Sequence, residues 1–280
     1  MKNFFQIIGI ITLTIGSFIY TEKVTIASKE SDTLLTEIKS KKDGYKENAI
    51  EPIIKDGTII PGLNGIEVDV NKSYNEMKKV GYFEDKLLIY KTLKVENSLD
   101  KNKDKYIISG NNSKKNITLI FKTKTKNLKQ IINTLNKKQI KSTFFIESTY
   151  LEKNQKQIIN LINNGNTVGN LSKNEDYKDS DFIWMKTIIT NIGPQIYNYC
   201  YTEKPNKTIL KTCEIQNSFT IMPTVIIKQN PFINIKKELK PGTIISLEVT
   251  EELENELEVI INYITNKGYV VTSLEKLLEE

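Results

Sequence analysis

The period of the apolar positions changes along the chain. From residue 4 to residue 20 the run is continuously apolar in character, with no polar face, and Lys2 precedes it. That pattern predicts a membrane segment, with Lys2 and the amino terminus as the flank that stays cytoplasmic. The run is slightly short for a span and long for the core of a signal peptide. The best cleavage site ends at Ala27, but Glu22 and Lys23 stand before it, so an uncleaved anchor over residues 1–27 is favoured over a removed signal. Either way the rest of the chain is expected outside: anchored and facing outward, or secreted if the segment is cut. Residues 28–49 are polar and charged and read as a linker. Residues 50–112 read as a small α+β module. Short strands are expected at 57–60, 66–70, 87–90 and 106–109, a turn at 61–65, and a helix capped by Asn71 or Ser73 running to residue 80.

From residue 116 to residue 280 strands and helices alternate. Strands are expected at 117–121, 142–146, 167–170, 219–227, 243–247 and 269–272. Helices are expected at 128–137, at 155–164 with Gly165 as its cap, at 182–197 with a bend at Gly193 and Pro194, and at 251–267. Such alternation predicts an α/β fold with a parallel sheet or barrel.

Composition narrows the chemistry. All forty basic residues are lysine, histidine is absent, and the net charge is +6. The bland source of this bias is an AT-rich bacterial genome. A basic chain is still drawn to anionic polymers such as a cell wall or a membrane surface. Nucleic acid is not an expected partner, because arginine, the residue suited to bidentate base and phosphate contacts, is missing. Without histidine the usual general base and the commonest zinc ligand are gone. Cys200 and Cys213 are too few for a cysteine-rich zinc site; they form either a disulfide or two buried small apolar residues.

Four stretches, taken in order, resemble the polysaccharide deacetylase (NodB-homology) family, whose fold is an irregular β/α barrel. Residues 117–121 (ITLIF) are similar to the strand entering the family's TFDDG motif. Residues 140–146 (IKSTFFI) resemble its ATFF strand, and residues 164–170 (NGNTVGN) the approach to its second motif. Residues 240–247 (KPGTIISL), followed by 266–274 (NKGYVVTSL), resemble its ending. The likeness begins at residue 116 and does not reach the earlier part of the chain.

The resemblance implies a site that this chain does not keep. The family's catalytic-base and metal-binding aspartates fall on Lys122 and Thr123. Its two metal-binding histidines fall on Leu171 and Glu175, and its general-acid histidine on Glu248. An ammonium cannot serve as a carboxylate base, and leucine cannot bind metal. No cofactor and no catalytic residue is therefore expected. The expected product is an exported, inactive deacetylase-like protein that binds peptidoglycan, another wall glycan, or a partner. Two alternatives stay open. Glu175 and Glu248, with Asp176 nearby, form a metal-independent carboxylate site, or the chain is a purely structural or protein-binding surface module. Tyr177, Trp184, Tyr199 and Tyr201 are candidates for sugar stacking, or else core residues. The Asn-x-Ser/Thr matches at Asn71, Asn111, Asn116, Asn170 and Asn206 carry no signal in a chain this rich in asparagine.

Overall fold

The computed structural model describes residues 14–15, 17–18, 32–123, 128–171, 177–192 and 199–280, with Asp179 and Asp181 by backbone only. In chain order the strands are β1 (Ile53–Lys55), β2 (Thr58–Ile60), β3 (Gly65–Val68), β4 (Tyr90–Leu93) and β5 (Tyr106–Ile107). There follow β6 (Asn116–Thr123), β7 (Thr143–Ile146), β8 (Thr167–Asn170) and β9 (Tyr199–Tyr201). The last are β10 (Phe219–Ile221), β11 (Val225–Ile227), β12 (Ile244–Glu248) and β13 (Val270–Val271). Contacts divide the chain into two units: Met1–Ala49 with Asn64–Lys94, and Ile50–Leu63 with Val95–Glu280.

The first unit departs from the expected organisation. The stretch read as a linker contains a helix, Thr33–Lys41, and the helix is capped by Asp32. The Asp32 carboxylate accepts from the Leu34 N–H at 2.9 Å and from the Tyr74 hydroxyl at 2.7 Å. Leu34, Leu35 and Ile38 make a narrow apolar stripe that the surrounding charge hides in the sequence. They bury against Val68, Tyr74, Met77 and Leu88. A second helix, Val70–Met77, is capped by Asp69 rather than by Asn71 or Ser73. The expected strand at 87–90 is replaced by a 3-10 turn, Asp85–Leu87, followed by β4. β3 and β4 form a small antiparallel hairpin sheet. Of the expected anchor, only Thr14, Ile15, Ser17 and Phe18 lie within the described residues; among these residues no helix is long and apolar enough to cross a membrane.

The second unit is a curled mixed sheet that makes a half-barrel. Its order is β1-β2-β5-β10-β9-β8-β7-β6-β12-β11, with β13 added beside β6. Among the described strands all of its strand pairings are parallel except β1 with β2. β1, β2 and β5, expected in a separate module, belong to this sheet. Its curl is visible where Ser109, just past β5, bridges to Thr243 at the start of β12. Two apolar layers follow from the two-residue alternation of strands. On β6, Ile117, Leu119 and Phe121 pack under the helices, while Ile120 faces the concave interior. In that interior Phe145 lies over Gly169, where a Cβ would sit 2.3 Å from the ring. The expected strand at 219–227 is split into β10 and β11, because Pro223 between them has no N–H to give. Helix Asp179–Ile192 starts earlier than expected; Gly193 and Pro194 lie outside the described residues. Other helices, Ser148–Lys153, Lys207–Ile215 and Pro231–Glu238, carry no expectation from the sequence.

Candidate functional site

In a parallel sheet the strand ends converge at the carboxyl edge, and ligands bind there. The expected site residues divide sharply at this edge. Lys122 and Glu248 are Cα partners on β6 and β12. The Lys122 side chain is buried, with the residue 4% exposed. Its ammonium hydrogen-bonds to Glu203, which lies two residues past β9, and stands 4.0 Å from the Glu248 carboxylate. Thr123 is buried beside Ile146 across the ladder. Leu171 is fully buried, in the interior cluster with Ile120, Phe145, Tyr199 and Tyr201. Glu175 and Asp176 lie outside the described residues.

Sequence reasoning missed two members of this group. Glu203 also takes the ammonium of Lys228 at 2.8 Å, and Lys228 is the first residue after β11. The available signal was positional: each is the first charged residue beyond a strand end. The four charges form a chain, Lys228–Glu203–Lys122–Glu248. Burial pushes the Glu203 carboxyl up, but the hydrogen bonds from Lys122 and Lys228 outweigh it and hold the group below its ordinary range.

The aromatic candidates are mostly structural. Tyr177, Tyr199 and Tyr201 are buried, so their faces are closed to a sugar. The Tyr201 ring lies under the Lys122 ammonium, 5.6 Å away, and its hydroxyl shares a hydrogen bond with Ser246 at 2.8 Å. The Tyr177 hydroxyl accepts from the Tyr201 N–H at 2.9 Å and donates to the Asn170 carbonyl at 2.6 Å. It thereby stitches β8 to β9, which share one ladder pair. Trp184 alone of the four is partly exposed. Cys200 and Cys213 form a disulfide, tying β9 to helix Lys207–Ile215. The loop it closes carries Glu203.

Residues 109–217 match the family model described as polysaccharide deacetylase. That stretch lies within the second unit, which is thus similar to the polysaccharide deacetylase family over these residues. Along nearly the whole chain the protein is similar to YlxY, an uncharacterized protein of Bacillus subtilis (strain 168). The two are 26% identical over 92% of this chain and 87% of YlxY. Among solved structures it is similar to BA3943 of Bacillus anthracis, a CE4 family pseudoenzyme. That likeness has a TM-score of 0.68 at 23% identity, over 89% of this chain and 96% of BA3943. A BA3943 mutant with restored enzymatic activity has the same fold. The Bc1960 peptidoglycan N-acetylglucosamine deacetylase is similar at a TM-score of 0.55 and 20% identity, over 61% of this chain and 92% of Bc1960. At these identities the structural likenesses are of fold.

The deacetylase family implies a metal, and the residues at this mouth do not fit one. Lys122 already places a fixed positive charge against Glu203 and Glu248, where a divalent ion would be repelled. Among the described residues no three His, Cys, Asp or Glu side chains converge closely enough to hold an ion. Calorimetric titration of the protein with zinc should show no one-to-one site of sub-micromolar affinity. Such a site, lost on Glu248→Ala, would contradict this assignment.

Proposed function

We propose that the protein is an exported, non-hydrolytic deacetylase-like protein that holds a cell-wall glycan. The observation that carries the reading is the buried Lys122 ammonium, fixed by Glu203, where the family places its catalytic base. Deacetylation needs a base or metal to activate water and an acid to protonate the leaving amine. Lys122 is an acceptor of nothing while its charge is held by carboxylates. Export is supported by the apolar run at residues 4–20 and by the Cys200–Cys213 disulfide, a bond that persists in oxidising compartments. The glycan is supported by the fold it shares with a peptidoglycan deacetylase and by the net charge of +6, which suits an anionic wall. Because Lys122 is neutralised within the site, this attraction has to come from surface lysines.

Incubation of the purified protein with peptidoglycan and with acetylated chitin oligomers should give salt-sensitive retention on peptidoglycan and no acetate from either. Acetate above that of a Glu175→Ala, Glu248→Ala double variant would overturn the non-hydrolytic reading and favour a carboxylate site. Burial of Tyr177, Tyr199 and Tyr201, which removes three stacking rings, favours a second reading: a protein-binding surface module. Absence of retention on any wall fraction would select it.

A further inference from the structure

A cavity of about 210 Å³ lies within the second unit, at the edge where the parallel strands begin, opposite the edge that carries Lys122. Leu99 and Leu278 give it apolar wall. Tyr199 and Phe219, the first residues of β9 and β10, give it two rings. Asp100, Glu275, Glu279 and Glu280 add four carboxylates, and among the described residues no lysine lines it. Its sign is opposite to the chain's net charge of +6.

The carboxylates are unequally provided for. Glu275 accepts a hydrogen bond from the Thr167 hydroxyl. Asp100 holds the Lys103 ammonium at 2.7 Å. Glu279 stands 3.7 Å from Lys276, with both side chains largely in solvent, a contact of little worth. Glu280 accepts from the Leu99 N–H at 3.0 Å. Burial, together with Asp100 and Glu51 beside it, nevertheless pushes its carboxyl above the ordinary range. The cavity therefore carries more negative charge than the lysines around it offset.

The geometry selects the kind of cation. Among the described residues no three carboxylates come close enough together to hold a metal ion. Their spacing suits a larger cation with an apolar body. Lys103 shows the fit, because its ammonium lies 4.8 Å from the centroid of the Phe219 ring while bonded to Asp100. One primary ammonium is thus already seated between a ring face and a carboxylate. The Thr143 hydroxyl supplies a second, independent sign. It is fully buried and makes no hydrogen bond among the described residues. Thr143 is the ladder partner of Thr167, on the interior face that Phe145 shares, so it lies in the row behind Glu275. A primary alkylammonium brings three N–H donors on an apolar stem, which matches carboxylates, hydroxyl and rings together.

We propose that this cavity binds a primary alkylammonium ion, carried either by the lysine side chain of a peptide or by a free diamine. The proposal is independent of what the opposite, carboxyl-edge mouth binds.

The full-length protein is titrated into N-acetyl-lysine methylamide and into 1,5-diaminopentane, and line broadening of the ligand is followed by NMR. Both should bind saturably, with dissociation constants on the order of 1 mM, and the tighter of the two names the source. N-acetyl-norleucine methylamide, which lacks the charge, and tetramethylammonium, which lacks N–H donors, should bind at least about tenfold more weakly. Lys103→Met empties the seat on Phe219 and should tighten both amines. Glu279→Lys puts a rival ammonium at the rim and should weaken both by about tenfold, with circular dichroism unchanged. If that variant does not fold, Glu279→Gln carries the test, with an expected loss of roughly threefold. Equal binding of the norleucine derivative would reduce the cavity to an apolar pocket and overturn the proposal. So would equal binding of tetramethylammonium, the absence of saturable amine binding, or amine binding indifferent to Glu279. Binding confined to Lys103→Met would overturn it as well, by making the cavity the seat of Lys103 alone.

Discussion

Glu203→Gln should destabilise the protein by about 3 kcal/mol, whereas Lys122→Met should cost less than about 1 kcal/mol. The asymmetry follows from what each change leaves behind. Without the Glu203 carboxylate, a buried ammonium loses the counter-charge that hydrogen-bonds to it, while Glu248 stands 4.0 Å away and partly in solvent. Without Lys122, Glu203 keeps Lys228 at 2.8 Å and some access to water, and a methionine fills the space apolar neighbours already surround. The double variant should therefore recover most of the loss of Glu203→Gln. Urea unfolding measures all three, and the single loss corresponds to a fall in Tm of roughly 6–12 °C for a unit of this size. Equal losses in the two single variants would mean that the ammonium is not the group that needs compensation.

The same carboxylate gives a pH dependence with a definite sign. Its folded-state pKa lies below the ordinary value of 4.5. It binds a proton more readily unfolded than folded, so its contribution is fully present above that value and is lost as pH falls through the depressed one. Below about pH 4.5 the wild type should lose stability more steeply than Glu203→Gln, which has no such group to protonate.

Removal of the disulfide is expected to have a comparable effect. Cys200→Ala with Cys213→Ala opens a loop closed across a separation of 13 residues, a loss of about 3 kcal/mol by chain entropy. Both cysteines are fully buried against Tyr177, Phe182 and Ile209, so the alanines also leave unfilled space. Because the loop carries Glu203, this change and Glu203→Gln act on one structure, and their combined loss should fall short of the sum. Lys122 should at the same time become accessible to acylation of its amine, read by mass spectrometry. Full additivity with an unreactive Lys122 would show that the disulfide does not position Glu203.

The elements most visible in the sequence were those with a strong period or a strong punctuation mark. The long helix Glu251–Asn266 shows its apolar spacing plainly, and β6 and β7 hold short apolar runs bounded by polar residues. Helix Thr33–Lys41 escaped because three apolar residues in a charged stretch look like a linker until Val68 and Met77 are placed over them. The assignment of β1, β2 and β5 to a separate module failed for a topological reason. β5 pairs with β2 on one side and β10 on the other, and no local pattern in a two-residue strand announces a partner so far along the chain. At the site, Lys122, Thr123, Leu171 and Glu248 were found through resemblance, and the structure brings Lys122 and Glu248 together. Glu203 and Lys228 were not found, because their roles come from the convergence of strand ends, which spacing in sequence does not encode.

The order of strands in the half-barrel has a consequence for how the chain is made. A ribosome adds about 5–20 residues per second, so β2 and β5 emerge several seconds before β10, the strand that fixes β5 into the sheet. During that interval β2 has β1 as a hairpin neighbour, and β5 waits with one edge unpaired. An unpaired edge invites pairing with another nascent chain. β5 has two residues, Tyr106 and Ile107, which gives an intruding strand almost no ladder to grip. Its brevity, which leaves it weakly held in the finished sheet, protects it while the sheet is still incomplete.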